Sequence, residues 1–188
     1  MGLISSFVLG YHGTDANLGR RLVSGEEQLR ASENEYDWLG HGVYFWEANP
    51  QRGLDWARKR AGADPDVVGA VIELGNCLDL LSAGGIEAVK LAFESLRESL
   101  SCAGEPMPRN HGGKDRLRRA LDCAVIEHLH QIRRDGGLAG YDTVRGMFRE
   151  GPPIYPDAGF FAQSHIQICV RTPDCIKAVF RVPPGQVT

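Results

Sequence analysis

Two short stretches bring together residue types that can do chemistry. Tyr11-His12-Gly13-Thr14 and Gly40-His41-Gly42-Val43-Tyr44-Phe45-Trp46-Glu47 each set an imidazole or an aromatic ring beside glycine. Glycine lets a backbone approach a ligand closely, and a flat ring beside it offers a stacking face. The combination reads as a pocket for a planar ring whose edge is bonded by main-chain groups. Metal chemistry is not indicated. His128 and His130 share a predicted helix at i and i+2, so they point apart, and no third ligand accompanies them.

The elements that must carry these stretches follow from periodicity and punctuation. Residues 5–11 predict a strand entering the first stretch, and residues 42–46 predict a second strand. Between them Thr14 or Asp15 caps a short helix reaching Val23, ended by Ser24-Gly25. Residues 26–39 hold no steady period and read as a loop of functional length. Asn49-Pro50 opens a helix to about Ala61. Leu54, Ala57 and Ala61 share one face of it, while Trp56 lies nearly opposite among Arg52, Lys59 and Arg60. A tryptophan there needs another surface to cover it. Residues 66–74 are almost continuously apolar, as in a central strand. Ile86, Val89, Phe93, Leu96 and Leu100 predict one amphipathic helix. After a linker over residues 104–113, Leu117, Leu121, Ala124, Val125, His128 and Ile132 predict another. Residues 141–148, 164–171 and 176–182 predict further strands, with a Pro-rich loop over 151–159 and a turn at Thr172-Pro173-Asp174. This order gives a single α+β domain over residues 1–188 with a largely antiparallel sheet.

Composition narrows the function classes. Hydrophobic residues at 43% and charged residues at 24% are ordinary globular usage, and 188 residues suffice for one real core. A net charge of −3 gives no broad grip on nucleic acid. A local basic face remains open among Lys114, Arg116, Arg118, Arg119, Arg133 and Arg134, offset by Asp115, Glu127 and Asp135. Five cysteines without a Cys-x-x-Cys pair argue against a disulfide framework and a thiolate zinc site, and fit free thiols in a reducing cytosol better. The first ten residues lack a basic leader and are too few to span a membrane, so the expectation is a soluble, cytoplasmic protein.

The order Tyr11-His12-Gly13-Thr14, Gly40-His41-Gly42-Val43-Tyr44-Phe45 and Trp56, then Ser164-His165-Ile166-Gln167-Ile168-Cys169-Val170, resembles the signature regions of the ADP-ribosyltransferases. The similarity is to the branch that includes the poly(ADP-ribose) polymerases and the diphtheria-toxin group. It implies split, mainly antiparallel sheets with flanking helices, and NAD as co-substrate. Cofactor contacts would come from His12, Gly13, Thr14, Tyr44, Trp56 and Gln167, and His12, Tyr44 and Gln167 would be catalytic. In that arrangement His12 bonds the ribose beside nicotinamide, the Gly13 main chain holds the amide, and Tyr44 stacks on the ring. Trp56 stands where the family usually has a second tyrosine. Aromatic pairs of this kind contribute roughly 0.5–1.5 kcal/mol beyond area burial. Cleavage at the ribosyl carbon is dissociative, so positioning and electrostatics matter more than a strong nucleophile.

The chain departs from the pattern at position 167. Polymerising members carry glutamate there; Gln167 can hold a ribose hydroxyl but cannot take a proton. The resemblance therefore implies transfer of a single ADP-ribose to a protein or nucleic-acid acceptor, with a base from the substrate or from Glu150, His165 or Glu47. A free-standing domain of this kind suits a toxin or defence effector. Two other readings stay open: a module that binds NAD or ADP-ribose without turnover, and another enzyme on the same fold. The latter would be an NAD glycohydrolase or an RNA phosphotransferase using His12 with Arg20, Arg21 or Arg145. Each residue also has a bland reading, with His12 in a turn, Tyr44 in the core, Trp56 in the core or an interface, Gln167 as a polar residue of an edge strand and Glu150 at a solvated strand end.

Overall fold

The computed structural model describes residues 6–60 and 64–187; Ser5 and Ala61, expected in a strand and a helix, lie outside them. Strand β1 (Phe7–Asp15) passes straight into helix α1 (Ala16–Ser24), because the Asp15 carboxylate accepts bonds from the Asn17 and Leu18 N–H groups. Then come β2 (Val43–Glu47), α2 (Pro50–Arg60), β3 (Pro65–Glu73) and β4 (Cys77–Asp79). Helix α3 (Ala83–Ala103) starts at a Ser82 cap. A two-stranded ribbon, β5 (Asn110–His111) with β6 (Arg118–Arg119), precedes α4 (Ala120–Asp135). Strands β7 (Thr143–Phe148), β8 (His165–Val170) and β9 (Ile176–Arg181) complete the sheet.

Seven strands form one sheet in the order β4, β7, β8, β2, β1, β3, β9. Neighbours are antiparallel except β4 and β7, which run parallel. The expected split sheets are thus one sheet with a weak seam. Strands β1 and β2 are registered only at Gly10 with Glu47 and Tyr11 with Trp46, whereas β1 follows β3 along its whole length. The expected linker over residues 104–113 holds β5, and Leu117 lies outside α4 and is exposed. No helix among the described residues is long and apolar enough to cross a membrane.

Alternation along the strands gives the sheet two apolar faces. On one, Leu78, Val144 and Cys169 pack against Ala92 and Leu96 of α3 and Val125, Ile126 and Leu129 of α4. On the other, Val43, Phe45, Ala70, Ile72, Ile168 and Val170 form a second core. Tyr44 packs against the first core and Trp46 shares its parity on β2, so both stand on the helical side of the sheet.

Candidate functional site

Beyond Tyr11 and Trp46 the β1–β2 ladder goes no further, and a side chain sits at the parting. Continuing the register would set Gly13 opposite Tyr44. There the Tyr44 carbonyl accepts a 2.9 Å bond from the His12 ring at Nδ1. The strands diverge, and a cavity of about 520 Å³ opens at the seam. That bond fixes the tautomer: Nδ1 carries the hydrogen, and Nε2, with no partner among the described residues, keeps its lone pair. Burial pushes the His12 pKa below the ordinary histidine value, against the opposing effect of the Tyr44 carbonyl. The ring is therefore neutral at physiological pH.

Tyr44 lines the same cavity, with its hydroxyl locked away from it. The hydroxyl donates to the Gly40 carbonyl at 2.8 Å and accepts from the Leu39 N–H at 2.9 Å. Burial raises its pKa well above the usual phenol value, so the ring is neutral. The turn that holds the hydroxyl is braced from behind. Arg171 grips Glu127 at 2.5 and 3.1 Å and bonds the His41 carbonyl at 3.0 Å, while Glu127 accepts from the His41 N–H at 2.8 Å. Gly42 is needed because a Cβ there would lie 2.5 Å from the Val170 carbonyl oxygen on β8. His41 thus supports the turn and does not line the cavity.

Gln167 lines the cavity from β8, paired in register with Trp46 on one side and Gly146 on the other. Trp38 donates its indole N–H to Gln167 Oε1 at 2.6 Å. An indole only donates, so the amide is oriented and its NH₂ is left for a ligand. Trp56 also lines the cavity, half-exposed, with Trp46 at 5.9 Å and the Arg60 guanidinium 5.2 Å over its ring. Glu150 and His165 complete the set on the cavity wall. Glu150 pairs with Arg52 at 2.6 Å. His165 is buried, stacks on Phe148 at 5.5 Å, and bonds the Gln163 carbonyl through Nδ1 at 2.7 Å. Burial lowers its pKa as well.

Two expected contacts are placed differently. Thr14 does not line the cavity: its side chain is buried and packs toward α1 at Gly19, where β1 continues along β3. The Gly13 Cα faces α2, where a Cβ would lie 2.2 Å from the Gly53 carbonyl oxygen. Gly13 does not line the cavity either. The Ala48 N–H bonds the Leu9 carbonyl, and antiparallel alternation sets the peptides of Tyr11 and Gly13 on the same β2 side. Glu47 is on the other face of the sheet, held by Arg145 at 2.5 and 2.9 Å. Arg145 and Arg21 are each ion-paired, and Arg20 lines a separate small hollow with Asp66 and Arg181, so these arginines do not converge with His12. His128 bonds Ser95, and among the described residues no group of three His, Cys, Asp or Glu side chains is placed to hold a metal ion.

The cavity also contains rings not anticipated as site residues: Tyr36, Trp38, Trp46 and Phe148. Trp46 had a signal, since it lies two residues from Tyr44 on a strand. Trp38 had none, because its partner is 129 residues away. Arg30, Lys59 and Arg60 also line the cavity, against the acidic Asp37 and Glu150. Arg119 lies over Phe148 at 4.1 Å and Trp38 at 5.4 Å, and Arg118 over Tyr36 at 5.2 Å. The site can therefore receive an anionic molecule with planar rings. Compared with protein-family models, curated proteins and solved structures, the chain finds no match in any of the three.

Proposed function

We propose that the protein is an NAD-dependent mono-ADP-ribosyltransferase. It binds NAD in the seam cavity, breaks the nicotinamide–ribose bond and passes ADP-ribose to a protein or nucleic-acid acceptor. One observation carries this reading. His12, Tyr44, Trp56 and Gln167, from four distant stretches, line a single cavity walled by aromatic rings and bordered by Arg30, Lys59 and Arg60. NAD asks for both features, having two planar rings and a pyrophosphate.

In this reading the Tyr44 ring faces nicotinamide, with Trp56 as the second aromatic surface. His12 Nε2 accepts from a ribose hydroxyl, and the Gln167 NH₂ donates to a ribose oxygen. The Gly13 peptide meets the carboxamide. Holding the ribose while the pyridinium departs with the bonding electron pair lowers the barrier by positioning and preorganised polarity. Gln167 accepts no proton, which accords with transfer of one ADP-ribose and not with chain growth.

The test is incubation with NAD labelled in the adenylate part, with and without cell lysate, following free nicotinamide and label on protein, RNA and DNA. The expected result is nicotinamide release with label on a polymer, lowered at least about 100-fold in His12→Ala and Tyr44→Ala. Release without polymer label identifies a glycohydrolase. Binding without release identifies a binding module. Neither binding nor release removes NAD from the account.

A further inference from the structure

If position 167 cannot take a proton, a transfer reaction needs another group to do so, and the structure separates the three candidates. Glu47 is on the opposite face, with both oxygens on Arg145. His165 is only 7% exposed; Nδ1 is spent on the Gln163 carbonyl, and Nε2 is sealed in the packing with no partner among the described residues. Glu150 lines the cavity. Arg52 holds its Oε2 at 2.6 Å, and Oε1 has no partner among the described residues.

The backbone around Glu150 is built to hold it there. The Gln163 N–H bonds the Glu150 carbonyl at 3.0 Å, closing the neck of a loop over residues 151–163. The Gly151 N–H bonds Asp115 at 3.2 Å, and Pro153 bridges to Phe161. The carboxylate thus stands at the base of a closed loop whose tip exposes Ile154, Tyr155 and Phe160. Two buried donors stand on the same wall. Trp46 Nε1 and Arg52 Nε are buried without a partner among the described residues, and both residues line the cavity.

We propose that Glu150, presented at the neck of the 151–163 loop and gripped by Arg52, is the general base for the acceptor. This rests on the NAD-transferase reading above. The C1′–N bond of NAD breaks, its electron pair going to the nicotinamide nitrogen and neutralising the pyridinium. The acceptor's oxygen or nitrogen forms the new bond to C1′. Its proton passes to Glu150 Oε1 and then to water. Arg52 is a positioning residue that fixes which oxygen is free.

The test compares wild type, Glu150→Gln and Arg52→Gln, with labelled NAD and total lysate, reading polymer label per nicotinamide released. That ratio separates acceptor activation from NAD cleavage, and thermal unfolding of each variant reports the loss of the ion pair. In E150Q the ratio falls by about 100-fold or more, the range for a general base. In R52Q, which breaks the same pair but keeps the carboxylate, it falls by less than about tenfold. A ratio in E150Q within about threefold of wild type overturns the proposal, as does an equal fall in both variants, which makes the pair structural. A wild-type protein that releases no nicotinamide overturns the transferase reading first and this assignment with it.

Discussion

Trp38 Nε1 donates to Gln167 Oε1 at 2.6 Å, tying a residue of the long loop before β2 to strand β8 on the cavity wall. The bond decides which end of the Gln167 amide a ligand meets. Trp38→Phe keeps the ring and removes the donor, so the amide is free to turn. The cost is that of one hydrogen bond, about 0.5–1.5 kcal/mol, or about a 2- to 12-fold weaker NAD Kd. Isothermal titration of W38F beside wild type measures it; equal affinities would show that the amide's orientation does not matter to the ligand.

All three tryptophans of the chain, Trp38, Trp46 and Trp56, line one cavity. Entry of a pyridinium ring between them should quench most of the intrinsic fluorescence in a saturable way. Trp56→Phe should remove a large share of that change while leaving some from the other two. Titration with NAD, with nicotinamide alone as a second ligand, checks this. A linear, unsaturable decrease would speak only of collisional quenching and against occupancy.

Stability should depend on pH through buried histidines. Burial holds His12, His130 and His165 below the ordinary value of 6.5, and His130 down to about 4. In the unfolded chain these rings take up protons as pH falls through 6.5, while in the folded protein they resist. Stability is then complete above that value and declines from there toward pH 4, with His130 alone contributing on the order of 3 kcal/mol. His130→Leu should flatten the dependence, since the buried Nε2 that finds no partner among the described residues is removed with the titration. Thermal unfolding across this pH range measures both.

Much of the scaffold was legible in the sequence, because it rests on local rules. The Asp15 cap, the apolar stripe of α3 from Val89 to Leu100 (Ile86, expected in it, is exposed) and the strands on either side of the Pro-rich loop each follow from neighbours a few residues apart. His12, Tyr44, Trp56 and Gln167 were brought together only by the resemblance, since no local rule says that β1 and β2 part after two registered pairs. Strand β4 is three residues long and exists by parallel pairing with β7, which periodicity cannot announce. Trp38 sits in a stretch without a period, and its meaning lies wholly in Gln167 and in Gly146, over whose Cα its ring packs closely. Glu47 and Glu150 looked alike as carboxylates; strand parity turns Glu47 to the other face, while the chain leaving β7 carries Glu150 to the cavity wall.

Gly13 tests the wall of the cavity from outside the ligand. A methyl at that position would meet the Gly53 carbonyl oxygen at 2.2 Å, and that oxygen belongs to backbone that cannot swing aside. Gly13→Ala should push α2, with Arg52 and Trp56, away from β1. The expected loss is about 1–3 kcal/mol of stability by overpacking. A larger loss of NAD affinity than of fold should accompany it, read by thermal unfolding and by titration.

The short join between β1 and β2 has a mechanical meaning. Residues on its two sides belong to different ladders: His12 goes with β3 and the helix bearing Trp56, Tyr44 and Gln167 with β7 and β8. A molecule gripped by all four acts as an added rung, lashing together two halves that the main chain fastens by only two pairs. Occupancy should therefore slow amide exchange along β1 and β2 more than anywhere else, and departure of nicotinamide would cut the lashing at the moment the acceptor has to come in.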